Sequence, residues 1–186
     1  MSKAFLSDDS ASTLEPDLPA GPSDAAGERK NYMTPAGAAA LRKEFEQLKF
    51  KERPEVVKVV EWAAGNGDRS ENGDYLYGKR RLREIDKRLG YLSERLENLL
   101  VIDPREITSD QVRFGATVTI RDEEDRERIY AIVGIDEADA GNGKVSWVSP
   151  LAQALLKNRV GDTVQVRAPK GVHEIEIVAI EYKEVG

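Results

Sequence analysis

The chain has 186 residues, 40% of them hydrophobic and 33% charged, with a formal net charge of −6. That length suits one or two domains of ordinary size, and no apolar run approaches the ~18 residues of a membrane-spanning helix. Cysteine is absent, which excludes disulfides and thiolate metal sites. Net acidity argues against a surface that is one continuous nucleic-acid footprint, but leaves room for a local basic stripe.

Residues 1–29 are rich in Ser, Pro, Asp, Gly and Ala, with Phe5, Leu6, Leu14 and Leu18 too sparse to build a core. The segment reads as a disordered leader, and it lacks the basic start and apolar run of a signal peptide. Thr34-Pro35 then marks a helix start, threonine capping free N–H groups and proline fitting the first turn. Leu41, Phe45 and Leu48 follow at helical spacing, Pro54 is expected to bend or interrupt the helix near residues 51–53, and Val56, Val60 and Ala63 resume the stripe.

Gly65-Asn66-Gly67 breaks that arm. Asp68 followed by Glu71 resembles a capping box for the next helix. Tyr75, Gly78, Leu82, Ile85, Leu89, Leu92, Leu96 and Leu99 alternate steps of three and four, a heptad seam. Two arms of roughly 30 residues, at ~1.5 Å per residue, make a rod of roughly 45 Å. The short turn makes the arms antiparallel neighbours, so residues 30–102 are predicted to form a projecting coiled-coil hairpin with an acidic tip.

Asp103-Pro104 ends the helix. From Val112 to Tyr182 short β-rich runs predict a small antiparallel sheet, with one helix from Pro150 capped by Ser149. The C-terminal run alternates, with Ile175 and Ile177 on one face followed by either Ala179 or Ile180. The fold class is α+β: a helical hairpin, then a sheet domain over residues 103–186.

Two constellations carry chemistry. Asp68, Glu71 and Asp74 recur at three-residue spacing at the predicted tip. Two or three exposed carboxylates cannot hold Mg²⁺ tightly alone, but can complete a site whose other ligands belong to a partner. The same residue types routinely cap helices and complement their dipoles, and on residue type alone capping is the stronger reading. The second constellation is "KRRLREIDKR", residues 79–88: Lys79, Arg80, Arg81, Arg83, Lys87 and Arg88, broken by Glu84 and Asp86. Such a face can guide the phosphates of a single strand, with Tyr75 or Tyr77 stacking on a base, or can be a solvated coiled-coil face with local ion pairs. The lone His173 reads as a surface strand residue, and no nucleophile set or phosphate-binding loop is legible.

"GNGDRSENGDYLYGKRRLREIDKRLGYLSERLENLLVID" (65–103) closely resembles the second half of the coiled coil of Gre family transcript cleavage factors, in their GreB-like branch. "YMTPAGAAALRKEF" is similar to the family's first helix, and "DEADAGNGKVSWVSPLAQALLKNRVGDTVQV" to its C-terminal, FKBP-like domain. The resemblance implies a cytoplasmic, monomeric factor that binds bacterial RNA polymerase and passes its hairpin through the secondary channel. It implies that Asp68 and Glu71 help hold the second catalytic Mg²⁺, shared with the polymerase, with Ser70, Asn72, Asp74 and Tyr75 supporting the tip. It further implies that Lys79, Arg80, Arg81, Arg83, Lys87 and Arg88 contact the extruded 3′ end of the nascent RNA, and that Ser149-Pro150 dock on the channel rim. Such a factor would stimulate RNA cleavage by the polymerase and would not be an enzyme alone. The alternative within the same resemblance is a channel binder that inhibits without cleavage, for which the Asp68/Glu71 pair would be dispensable. Gly73 stands where the family is expected to carry alanine, and Val148 where some relatives have a polar residue.

Overall fold

A computed structural model describes residues 30–65, 72–168 and 171–185. The leader expected over residues 1–29 and the tip residues Asp68, Ser70 and Glu71 lie outside that range.

The first arm comprises α1 (Pro35–Gln47) and α2 (Arg53–Ala64), joined by a π-helical turn at Leu48–Glu52. Thr34 caps α1, its hydroxyl accepting from the Gly37 N–H at 3.2 Å. The interruption expected near Pro54 takes the form of this π turn, at 48–52, and the arm continues beyond it. Proline removes one N–H and crowds the carbonyl four residues back, and the chain absorbs this by widening one turn, so that the Arg53 N–H reaches the Leu48 carbonyl. One extra residue therefore enters the stripe: Leu48 is followed on the inner face by Val56, Val60 and Ala63, an advance of eight rather than seven. Val59 and Trp62, which a regular continuation would bury, remain 49% and 65% exposed.

The second arm is α3 (Gly73–Glu97). Of its seam, Gly78, Ile85 and Leu92 are buried at seven-residue spacing, while Tyr75, Leu82, Leu89 and Leu96 are half-buried between them. Leu99, expected as the last seam position, lies instead in β2 (Leu99–Val101), which pairs parallel with β1 (Asn31–Met33). Asn31 seals the base of the hairpin: its backbone N–H donates to the Asn98 carbonyl at 2.7 Å and its side-chain amide to that of Arg95 at 3.0 Å.

The second domain contains β3 (Ala116–Asp122), β4 (Glu127–Val133), β5 (Lys144–Ser146), α4 (Pro150–Leu155), β6 (Thr163–Ala168) and β7 (Gly171–Tyr182), in sheet order β5-β4-β3-β7-β6. Three pairings are antiparallel, as expected, but β5 runs parallel to β4. The reason is the connection: residues 134–143 pass through two 3₁₀ turns, Ile135–Glu137 and Ala140–Asn142, and carry the chain back level with Ala131, so that β5 runs alongside the last residues of β4 in the same direction. The core gathers Val118, Ile120, Ile132, Ala152, Leu155, Ile175 and Ile177. A bulge opposite Thr119 and Ile120 shifts the β7 register, so Ile180 rather than Ala179 follows Ile177 onto the core.

Candidate functional site

The described part of the tip is built around Asn72. Its side-chain oxygen accepts from the Tyr75 N–H at 3.1 Å, and its amide donates to the Ala63 carbonyl at 2.8 Å. One side chain thus caps α3 and fastens it to the last turn of α2. The expectation that Asp68 opens α3 through a capping box is corrected: the helix begins at Gly73 with Asn72 as N-cap. Asn satisfies the free N–H groups as well as Asp does. Asp74 is exposed in the first turn, where its charge complements the helix dipole. Tyr75 is half-buried in the seam, with the Lys79 ammonium 5.3 Å from its ring centroid. Tyr77 is 73% exposed and Tyr75 is not, so Tyr77 is the tyrosine whose ring is open to a stacking partner.

The basic run divides in two. Arg81 and Arg88 face the first arm: Arg81 pairs with Glu52, and Arg88 holds Glu44 through Nε at 2.7 Å and Nη2 at 2.8 Å. The Arg88 hydrogen bond is the main reason the Glu44 carboxyl is held below its ordinary range. Arg95, seven residues further on, pairs with Asp136 at 2.6 Å. Arginines at seven-residue spacing along one edge of α3 therefore bind it to its neighbours. On the opposite edge Asp86 accepts from Arg53 at 2.7 Å. Lys79, Arg80, Arg83 and Lys87 stay exposed. Arg80, Arg83 and Lys87 follow one another at steps of three and four, which aligns them along the outer surface of the helix. Glu84, within hydrogen-bonding reach of Arg80 at 3.2 Å, partly offsets that row.

In the second domain Ser149 caps α4, accepting from the Ala152 N–H at 3.2 Å, and Pro150 and Val148 are exposed beside it. His173 is exposed on β7, as expected for a strand residue. Among the described residues no group of three or more His, Asp or Glu is placed to hold a metal ion. The acidic residue types that the sequence carries over 68–74 offer oxygen donors, a chemistry that suits a hard cation such as Mg²⁺ over a soft one.

Sequence reasoning missed the double role of Asn72, because its contact with Ala63 crosses nine residues of a turn. It also grouped Arg81 and Arg88 with the outward cations; the seven-residue spacing of Arg81, Arg88 and Arg95 was the signal that could have separated them.

Two family models match the chain: "Transcription elongation factor, N-terminal" over residues 31–101 and "Transcription elongation factor, GreA/GreB, C-term" over residues 107–182. The chain is 58% identical over 160 residues to transcription elongation factor GreB of Neisseria meningitidis serogroup B, covering 85% of this chain and 98% of that one. It is 47% identical over 150 residues to GreB of Pseudomonas aeruginosa, covering 81% and 89%. Among solved structures, the GreA factor homolog 1 (Gfh1) of Thermus thermophilus matches at 24% identity and a TM-score of 0.39, covering 82% of this chain and 99% of that one.

Proposed function

The chain belongs to the GreA/GreB family of transcription elongation factors, and from that premise we propose that it acts on bacterial RNA polymerase. In this reading the hairpin enters the secondary channel of the polymerase, and the factor stimulates cleavage of the extruded RNA 3′ end in backtracked complexes. The observation that carries the reading is the tip. Asn72 already caps α3 and ties it to Ala63, so the start of the helix does not require the carboxylates of Asp68 and Glu71. In this reading they serve a partner's chemistry.

Asp68 and Glu71 would hold the second catalytic Mg²⁺ of the polymerase active centre. The chemistry supplied there would be Lewis-acid stabilisation of phosphoryl charge and a more acidic metal-bound water. The residues of this chain contribute position and charge. The rod, fastened at its end by Asn72 on Ala63, would deliver the two carboxylates. Lys79, Arg80, Arg83 and Lys87 present cations to the phosphates of the extruded strand, and Tyr77 offers a face to a base. Arg81 and Arg88 keep the two arms in register. The exposed Val148–Pro150 corner docks on the channel rim. The factor is not an enzyme alone, because its two carboxylates complete a site that the polymerase owns.

The test is a cleavage assay on stalled, backtracked polymerase. Asp68→Ala and Glu71→Ala are each expected to reduce stimulated cleavage by about a hundredfold or more, with binding to the polymerase nearly unchanged. Undiminished cleavage by both variants would refute the mechanism. Binding without any stimulation by the parent protein would instead show a channel-blocking factor.

A further inference from the structure

The turn Ile135–Glu137 leaves the end of β4 and meets the base of the hairpin. The carboxylate of Glu137 accepts from the backbone N–H groups of Thr34 and Gly134, each at 3.0 Å, and from the Thr34 hydroxyl. That hydroxyl is the same group that caps α1. A side chain from the second domain thus completes the N-cap of the first arm. The preceding residue does the equivalent for the second arm: Asp136 accepts from the Arg95 guanidinium at 2.7 Å and from the Tyr91 hydroxyl, both on α3. Arg95 in turn holds the Asn31 side chain. Two consecutive acids therefore grip one arm each.

The fit around this joint is tight. A Cβ at Gly37 would lie 2.1 Å from the Glu137 carboxylate, and one at Gly134 would lie 2.5 Å from the Tyr32 carbonyl. The Tyr32 ring meets Trp147 of the second domain edge-on, with centroids 5.6 Å apart, and lies 6.0 Å from Phe114. The Arg95 and Asp136 side chains are 19% and 12% exposed, so their attraction is shielded from salt far better than a surface pair's.

We infer that Glu137 and Asp136 are positioning residues, which fix the angle at which the hairpin leaves the docking domain and thereby decide where its tip arrives. The inference rests on the function proposed above and adds a requirement to it. The 25 residues of α3 span about 37 Å at ~1.5 Å per residue, so a swing of about 10° at the base displaces the tip by roughly 6 Å. A misplacement of about 1 Å can cost a reaction about a hundredfold in rate. A docking domain joined to the rod by a slack linker would bind the polymerase equally well and deliver the carboxylates to the wrong place.

Because the chain has no cysteine, Lys58→Cys and Arg167→Cys introduce two unique attachment points for spin labels, one on each domain. Pulsed dipolar spectroscopy on the full chain should give one narrow distance distribution in the otherwise unchanged protein. With Asp136→Ala and Glu137→Ala added, the distribution should broaden to several times that width. Without the labels, the same double variant should compete with the parent for polymerase to within about threefold, yet show a maximal cleavage rate at least about tenfold lower at saturation. Should the alanine pair fail to fold, Glu137→Gln keeps the shape and one accepting oxygen, and its distribution must still be measurably wider than the parent's. A distribution as narrow as the parent's, or full maximal cleavage alongside a broadened one, would overturn the inference. If the parent itself stimulates no cleavage, the proposed function falls, while the distance measurement still decides whether the acids hold the joint.

Discussion

Two glycines on α3 separate what a missing side chain does for packing from what it costs the helix. A Cβ at Gly78 would lie 2.5 Å from Cγ2 of Val60, whereas one at Gly90 would meet nothing within 4 Å. Glycine costs a helix interior about 1 kcal/mol relative to alanine. Gly90→Ala should therefore stabilise the protein by up to about 1 kcal/mol. Gly78→Ala should lose that gain or reverse it, because Val60 is β-branched and cannot turn its methyl aside cheaply. Urea unfolding of both variants checks the contrast, and equal stabilisation would mean the arms are less closely packed at Val60 than the structure shows. Glu44 makes a second residue-level case. Its carboxyl is held below the ordinary range chiefly by the Arg88 hydrogen bond. A depressed folded-state value means the stabilisation is present above the unfolded-state value and lost as pH falls through the folded one. Glu44→Gln should thus cost about 0.5 kcal/mol at neutral pH, in keeping with a half-exposed pair. The difference from the parent should begin to shrink as pH falls below about 4, the unfolded-state range, and vanish only below the lowered folded-state value, where both states bind the proton.

At the scale of elements, the first arm shows how one residue sets the register of many. The π-helical turn at Leu48–Glu52 accommodates Pro54 and at the same time advances the inner stripe by one. Deleting Phe50, which is 66% exposed, should restore an unwidened turn and keep Val56, Val60 and Ala63 facing α3. It would also force the proline ring against a helical carbonyl, at a cost of about 3 kcal/mol. Adding Pro54→Ala to the deletion should recover most of that loss, measured as the midpoint of thermal unfolding; no recovery would mean that the widened turn has another cause. The helices themselves were legible in the sequence because their period is local and repeats over many turns. Asn31–Met33 and Leu99–Val101 were not, since three-residue strands gain their pairing only from a partner 68 residues away. The strand at Lys144–Ser146 was legible as a β-rich run but its parallel direction was not, because the connection after β4 decides it, and the parity of β7 was settled by a bulge that no local pattern announces. At the tip, Asp68 and Asn72 are equally good caps by residue type. Only the meeting of Asn72 with Ala63 across the turn decides between them.

For the whole molecule, the arrangement is a rod whose charges are sorted by task. Arg81, Arg88 and Arg95 are consumed in holding it to its neighbours, and the row of Arg80, Arg83 and Lys87 faces outward, with Glu84 beside Arg80. Reversing charge at Arg83 and Lys87 together should weaken action on long extruded RNA more than on short, because only a longer strand reaches beyond the tip to the row. Cleavage assays on complexes backtracked by different lengths would show it, and an equal effect on both would remove RNA from that face. Among the described residues, Asp136 and Glu137 grip the arms at the base of the rod beside the packing of Tyr32 on Trp147 and Phe114, and these contacts align the rod with the sheet domain.

The parallel pairing of Asn31–Met33 with Leu99–Val101 has a consequence for how such a protein can vary. It stitches the two feet of the hairpin side by side, so the chain leaves and re-enters the body of the molecule at nearly one point. Everything between the feet is then a detachable unit. Adding or removing one heptad in each arm would shift the tip by about 10 Å and return every seam residue to the same bearing. Reach becomes a stepped quantity, adjustable in whole heptads while the sheet domain and its joint stay as they are.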